Sequence, residues 1–249
     1  TEDNEVLMQS INGVEKKALP TVLCMTNLIH HGIDDPGRVK RGNSLTKPIN
    51  SYTEDDEVDI IATNPPFGGS EQNTVLSNFP VAYRLSETAD LFMTVIHTSL
   101  KNEGRAAVVY PASPPPDGKK QNIVRRLVEE CNLHTIIQFP NSTFKPYASI
   151  ATNLLFFTKG AQTTETWFYQ HRVPEGQKHY SKTKPIKSEH LDPIREWWDN
   201  REESEYSWKV TVQEIVDAGY GIFDWKNPNL PEEEIEAAEI LLERYREQT

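Results

Sequence analysis

Short apolar runs alternate with longer amphipathic segments along the first 160 residues. The runs at 58–63, 105–110, 133–139 and 152–158 have the length and the β-branched or aromatic content of strands. The segments between them, such as 88–101, repeat apolar residues at helical spacing. This alternation predicts an α/β fold, with a mostly parallel sheet that carries helices on both faces.

Shorter elements are expected before residue 58. Residues 11–15 can form a brief strand that ends in Glu15, and 39–45 can hold another. Residues 19–31 between them have the pattern of an amphipathic helix, with Gly32 in place to end it. Ligands of open α/β sheets bind at the carboxyl ends of strands, so residues that follow these strands are the first candidates for a site.

The composition changes after Gly160. All five tryptophans lie beyond it, mixed with prolines and charged residues, and no long apolar run occurs there. We therefore predict a core of residues 1–160 and a smaller region of residues 161–249 that packs on the core or on a partner protein. This second region is expected to end in a helix over 232–247.

Charge and composition exclude several classes of protein. No stretch has the roughly 20 apolar residues of a membrane span, and the acidic start is unlike a signal peptide. The two cysteines, Cys24 and Cys131, are far apart, which fits a reducing cytoplasm, and the histidines have no metal-ligand spacing. The net charge is −11, so a role on DNA would need a partner to bind phosphates or a local basic surface.

The strand at 58–63 leads into the run Asn64-Pro65-Pro66-Phe67. A nitrogen conjugated to a π-system is a weak nucleophile because its lone pair is delocalised. The Asn64 side-chain oxygen and the Pro65 carbonyl can accept both N–H bonds of such an amine and free its lone pair for a methyl donor. Pro66 keeps Pro65 extended, and Phe67 offers a face for a base flipped out of a duplex.

A simple proline turn is the alternative interpretation of this run, but the upstream buried strand and the α/β context favour the functional one. The run is one form of the Asn/Asp-Pro-Pro-aromatic signature of amino-methyltransferases. With Gly68 and Gly69, it resembles the modification subunits of type I restriction-modification systems. The likeness covers nearly the whole chain and continues in the segments 13–32, 104–111, 151–160, 180–185 and 224–228.

The resemblance implies a Rossmann-like, S-adenosyl-L-methionine-dependent methyltransferase fold, incomplete at its N-terminus. It implies that the four motif residues are catalytic. Glu15 then binds the cofactor ribose or is a surface carboxylate. Asn43, with Ser44 after it, replaces an acid that the family uses for the cofactor adenine, or is an ordinary turn residue. Phe144 faces the flipped base or packs in the core, and Asp90 flanks the cofactor or caps a helix.

The resemblance also implies a glycine-rich cofactor loop, which we do not find before Gly13. We therefore expect a fragment that lacks this loop and the family's N-terminal helical domain, and that binds the cofactor poorly alone. The full-length protein is expected to methylate adenine N6 in DNA. Its expected partners are a specificity subunit, a restriction subunit and a second modification subunit, with no membrane. A protein-glutamine methyltransferase and a non-catalytic interaction module are the alternatives.

Overall fold

The computed structural model describes residues 6, 10–33, 35–113, 116 and 118–230. Eight strands lie in this part of the chain: β1 Gly13–Glu15, β2 Val39–Arg41, β3 Val58–Thr63, β4 Leu100–Pro111, β5 Cys131–Phe139, β6 Thr152–Lys159, β7 Glu165–Gln170 and β8 Ser207–Thr211. The α-helices described are α1 Ala18–His30, α2 Asn73–Leu76, α3 Thr88–Ser99, α4 Gly118–Glu130, α5 Asp192–Asp199 and α6 Val212–Asp217. The predicted helix over 232–247 lies outside the described residues.

The strands form two sheets. β1 and β2 pair in parallel, and the other six strands have the order β3-β4-β6-β5-β7-β8. In the larger sheet β3 runs parallel to β4 and β5 parallel to β7, whereas the pairs β4–β6, β5–β6 and β7–β8 are antiparallel. The prediction of an α/β fold is confirmed. In the larger sheet β3, β4, β5 and β7 run in one direction, and β6 and β8 run against them, so the sheet is mixed. The chain turns back after β5 through residues 140–151, and β6 enters the sheet between β4 and β5 in the opposite direction.

The region after residue 160 contributes strands to the same sheet. β7 extends it beside β5, and β8 closes it as the outer strand. Trp208 on β8 stacks on Phe168 of β7, with ring centroids 5.3 Å apart. The division of the chain at residue 160 stays a prediction, but residues 161–230 pack on the core through this shared sheet.

The main core lies where α3 and α4 cover the centre of the larger sheet. Met93 and Leu127 from these helices pack with Val108 and Leu155 from the strands, and each is at most 2% exposed. Full burial of one such side chain stabilises the fold by about 1.5–3 kcal/mol. The long central strands β4, β5 and β6 are therefore the best-supported part of the molecule.

β3 differs from its prediction as a buried strand. Its residues are all either half-buried or exposed, and Ile60 is 62% exposed. Within the described chain β3 pairs only with β4, so its other edge is open. A β-branched sequence alone does not show whether a strand lies inside a sheet or at its edge.

Candidate functional site

The Asn64-Pro65-Pro66-Phe67 run begins directly after β3, at the carboxyl edge of the sheet, where Thr63 is level with Val108 of β4. Asn64 is exposed and Pro65 is buried. None of the described residues donates a hydrogen bond to the Asn64 amide oxygen or to the Pro65 carbonyl. The predicted pair of acceptors is therefore present and free to receive the two N–H bonds of an amine.

Phe67 and Phe144 meet at this edge. Their ring centroids are 6.4 Å apart at an interplanar angle of 68°, an edge-to-face contact. Phe67 is half-buried against the main core, and Phe144 lies in the 140–151 connection between β5 and β6. The two aromatic residues that the sequence proposed for a target base are thus brought together, from positions 77 residues apart in the chain.

The turn after the motif is fastened to the start of α3. The Gly69 carbonyl accepts a hydrogen bond of 2.9 Å from the Thr88 backbone N–H, and Ser70 forms a single antiparallel bridge with Glu87. A Cβ atom on Gly69 would lie 2.8 Å from the Thr88 hydroxyl oxygen, so the close approach requires glycine. These contacts fix the loop that carries Asn64.

A buried polar cluster next to this turn was not expected from the sequence. The Tyr110 hydroxyl, near the end of β4, donates a hydrogen bond to the Asp90 carboxylate in the first turn of α3, and Lys120 Nζ lies 3.5 Å from the same carboxylate. Burial raises the pKa of Asp90, although Tyr110 and Lys120 act against this shift. Burial, and then the Asp90 charge, raises the pKa of Tyr110. Asp90 therefore ties α3 to β4 beneath the motif.

The residues proposed for the cofactor lie at the carboxyl ends of β1 and β2. Glu15 Oε1 accepts a 2.7 Å hydrogen bond from the Lys17 backbone N–H, which leaves Oε2 without a partner among the described residues. Asn43 Oδ1 accepts a 3.0 Å bond from the Leu45 backbone N–H, the geometry of a turn asparagine, and one lone pair of this oxygen remains. Ser44 is half-buried.

One ion pair joins the two groups of candidates. Lys16, directly after Glu15, places its ammonium 3.1 Å from the Glu71 carboxylate, which lies in the loop after the motif. The segment after β1 therefore contacts the loop that follows the motif.

The sequence matches the N-6 DNA Methylase family over residues 1–235. The chain belongs to this family. It is 46% identical to the methylase subunit of the EcoEI type I restriction enzyme of Escherichia coli, and the match covers 100% of this chain and 52% of that protein.

Solved structures agree with this assignment to the N-6 DNA methylase family. The fold superposes with a TM-score of 0.87 on a chain from a type I restriction-modification assembly, at 34% identity and over 100% of this chain and 54% of that one. It superposes at 0.70 on the EcoKI M protein, at 26% identity and over 87% and 53% of the two chains. The fold is that of modification subunits of type I restriction enzymes. The chain spans about half the length of these relatives.

A cavity lies at the same edge of the sheet as the candidate site. This cavity has a volume of about 230 Å³ and is lined by the ends of β5 and β7 and the start of β6, together with residues 223–227. The Thr152 hydroxyl, which lines it, is buried and has no hydrogen-bond partner among the described residues. Among those residues no group of His, Cys, Asp and Glu could hold a metal ion, and no helix is long and apolar enough to cross a membrane.

The region of β1 and α1, which carries the candidate cofactor residue Glu15, exposes much apolar surface. Leu19, Val22 and Leu23 of α1 are 69%, 58% and 60% exposed, and Val14 of β1 is 51% exposed. With Ile60 of β3, these side chains flank the open edges of β1 and β3. Leu19, Val22 and Leu23 share one face of α1, and an apolar helix face that is this exposed normally contacts another protein segment.

Proposed function

We propose that the full-length protein transfers a methyl group from S-adenosyl-L-methionine to the exocyclic N6 of an adenine flipped out of DNA. The observation that carries this proposal is the geometry of the Asn64 motif. Two free acceptors lie at the end of β3, beside a pair of aromatic rings, in a chain of the N-6 DNA methylase family.

The residues of the motif have separate tasks in this reaction. The Asn64 amide oxygen and the Pro65 carbonyl accept the two N–H bonds of the adenine amine and turn its lone pair towards the methyl donor. Pro66 restricts the conformation of Pro65 and so keeps the carbonyl in place before the substrate arrives. Phe67 stacks on the extruded base, and Phe144 supports Phe67 or contacts the base from the other loop.

The ends of β1 and β2 fit the nucleoside part of the cofactor. The free oxygen of Glu15 can accept from ribose hydroxyls, and Asn43 and Ser44 offer uncharged polar groups next to it. S-adenosyl-L-methionine supplies the activated methyl group when it is bound. The ion pair between Lys16 and Glu71 holds this side against the loop that carries Asn64.

The cofactor side is incomplete within the described chain. The open edges of β1 and β3 and the exposed apolar residues of α1 support a further strand between the two sheets, contributed by another part of the full-length protein. A glycine-rich turn at the end of such a strand would approach the methionine part of the cofactor. We therefore infer that these 249 residues alone have little methyltransferase activity.

The partners follow from the relatives, which are subunits of type I restriction enzymes. We infer that the full-length protein acts on DNA together with a specificity subunit that reads the sequence, a restriction subunit and a second modification subunit. We place it in the cytoplasm, where DNA is available and where the free thiols of Cys24 and Cys131 stay reduced.

Replacing Asn64 tests the proposal. In the full-length protein with its specificity subunit, Asn64→Ala should lower the rate of N6-methyladenine formation by about 10²-fold or more, because one preorganised acceptor is lost. Mass spectrometry of nucleosides from digested DNA measures this product. Asn50→Ala is the matched control, since Asn50 is an exposed asparagine in another turn, and it should leave the rate unchanged.

The same experiment separates the alternatives. Methylation of protein glutamine in place of adenine would show a protein-glutamine methyltransferase. An assembled complex that methylates nothing, with or without Asn64, would show an interaction module. If Asn64→Ala methylates adenine at the wild-type rate, another residue holds the amine.

A further inference from the structure

One loop of this acidic protein is strongly basic. Residues 176–188 contain four lysines and no acid, whereas the whole chain has a net charge of −11. Lys187 pairs with Glu189 at 3.2 Å, but Lys178, Lys182 and Lys184 are exposed and form no ion pair with any described residue. We call residues 176–188 the lysine loop.

The lysine loop has an ordered backbone. The Gln177 side-chain amide donates to the carbonyls of His179 and Lys184 at 3.1 and 3.2 Å, and Ser181 and Lys184 exchange two backbone hydrogen bonds. These bonds close a compact turn that presents Lys182 and Lys184 from one place. A preorganised loop loses less conformational entropy when it binds a ligand than a flexible tail does.

Tyr180 anchors the loop in the protein. Its side chain is fully buried, its hydroxyl shares a 2.8 Å hydrogen bond with His171 Nε2, and its ring stacks on His171 and His190. Its backbone N–H donates to Ser142 Oγ at 3.2 Å. Ser142 belongs to the 140–151 connection, so the lysine loop is bonded to the segment that carries Phe144 towards Phe67.

The 140–151 connection also presents an exposed aromatic side chain. Tyr147, three residues after Phe144, is 93% exposed. A single exposed aromatic residue is common, but this one lies in the same connection as Phe144 and as Ser142, which is bonded to the lysine loop. Lysine ammonium groups bind phosphates as point charges, and a tyrosine ring can stack on bases or pack against the sugar.

We propose that the lysine loop and Tyr147 bind the DNA duplex beside the extruded adenine, with Lys178, Lys182 and Lys184 on backbone phosphates and Tyr147 against the neighbouring bases. This inference rests on the proposed function. It assigns part of the phosphate contact to this chain, despite its acidic total charge. Contacts of this kind position the duplex without reading its sequence.

The double variant Lys182→Gln/Lys184→Gln tests the proposal in the full-length protein with its specificity subunit. Removing two phosphate contacts should reduce the slope of log K against log salt by up to about 1.8, since each contact contributes about 0.9. Fluorescence anisotropy of a labelled duplex between roughly 50 and 200 mM salt measures this slope. Methylation should need more DNA for half-saturation and keep its maximal rate.

Lys101→Gln/Lys209→Gln is the matched control. It removes the same two charges from exposed lysines that pair with Asp59 and Glu165, away from the lysine loop. The control should leave the slope unchanged. The proposal would be overturned if both double variants had the wild-type slope of log K against log salt, or if both reduced this slope equally.

Tyr147→Ala provides the second measurement. It should weaken DNA binding and reduce the fluorescence increase of 2-aminopurine at the target position, while the salt slope stays at the wild-type value. Loss of the specificity subunit from either variant during gel filtration would make this surface a protein contact and overturn the proposal. If the lysine-loop and Tyr147 variants bind DNA as the wild type does, while Asn64→Ala still abolishes methylation, this proposal is refuted and the proposed function stands.

Discussion

The two sides of the candidate site, one proposed for the target base and one for the cofactor, are built very differently. The target-base side rests on β4, β5 and β6, whose inward residues are among the most buried of the molecule. The cofactor side rests on β1, β2 and α1, where Val39 and Thr21 are buried but the face of α1 with Leu19 and Leu23 is open. The first region is supported by its own core, whereas the second needs a further segment to cover it.

The difference shows that an intact sequence motif does not imply a complete site. Asn64 and Pro65 hold their positions because the loop is bonded to α3 and α3 is packed on the central strands. Glu15 and Asn43 lie on strands of three residues, which depend on neighbours for their stability. The following predictions test this contrast.

The largest effect is expected for a core leucine. Leu155→Ala on β6 should lower the free energy of unfolding by about 2–5 kcal/mol, because Leu155 is fully buried and leaves a cavity. Leu23→Ala on α1 should change it by less than about 0.5 kcal/mol in this chain. Urea denaturation measures both. In the full-length protein Leu23→Ala should lower the free energy of unfolding clearly. No measurable change there would show that nothing covers α1.

A smaller loss is expected at the buried cluster beneath the motif. Asp90→Asn should destabilise the protein by about 1.5–3 kcal/mol, because it removes a charge-assisted hydrogen bond with Tyr110 and the partner charge of Lys120. Asp59→Asn is the control, since Asp59 is exposed and its pair with Lys101 should contribute at most about 1 kcal/mol. Equal shifts of the urea midpoint for both variants would contradict a structural role for Asp90.

The pH dependence of stability should come largely from three histidines of the larger sheet and its helices. Burial lowers the pKa of His97 to about 3 and those of His134 and His171 to about 4. His97 Nε2 lies 3.1 Å from the Glu130 carboxylate but lacks hydrogen-bond geometry, and Arg126 and Lys159 also oppose its charge.

In the unfolded chain the three histidines bind protons below about pH 6.5, whereas in the folded protein they stay neutral. Stability should therefore fall as the pH drops from about 6.5 towards 4. Asp90 acts in the opposite sense, since its pKa is raised, but it is a single group. Urea midpoints should decrease over this range, and the ring signals of the three histidines in NMR spectra should not titrate above about pH 5. Ring signals that titrate near pH 6.5 would contradict the burial of these side chains.

The smallest effect is expected for the contact between the two regions. Lys16→Ala removes the pair with Glu71, and because Lys16 is largely exposed the stability should change by at most about 1 kcal/mol. Thermal unfolding measures this change, with Lys40→Ala on β2 as the control. A much larger loss of stability would show that this ion pair is the main contact between the two regions.

The sequence predicted those parts of the fold that depend on local patterns. The strands at Glu15 and Thr63, α1 with its end at His30, and the central strands are where the residue patterns placed them. Strands β7 and β8 were not predicted, because each is short and is held by pairing between residues far apart, such as Glu165 with Thr211. Whether an edge of β3 is paired depends on the segment beside it in the fold, and the composition of the strand does not predict this.

The candidate site shows the same limit. The motif residues follow β3 as expected, since a strand and its next residues are adjacent in sequence. The contact of Asp90 with Tyr110 and Lys120 joins three segments, and no spacing in the sequence indicates it. Asn43 uses its amide oxygen within its own turn, a geometry that the sequence left open against a role at the cofactor.

The central claim is that the target-base side is complete in this chain and the cofactor side is not. Calorimetric titration of S-adenosyl-L-methionine into the 249-residue chain and into the full-length protein tests it most directly. We predict one-to-one binding to the full-length protein and no detectable heat with the shorter chain. Equal affinity for both would contradict the claim and show that Glu15, Asn43 and their neighbours suffice to hold the cofactor.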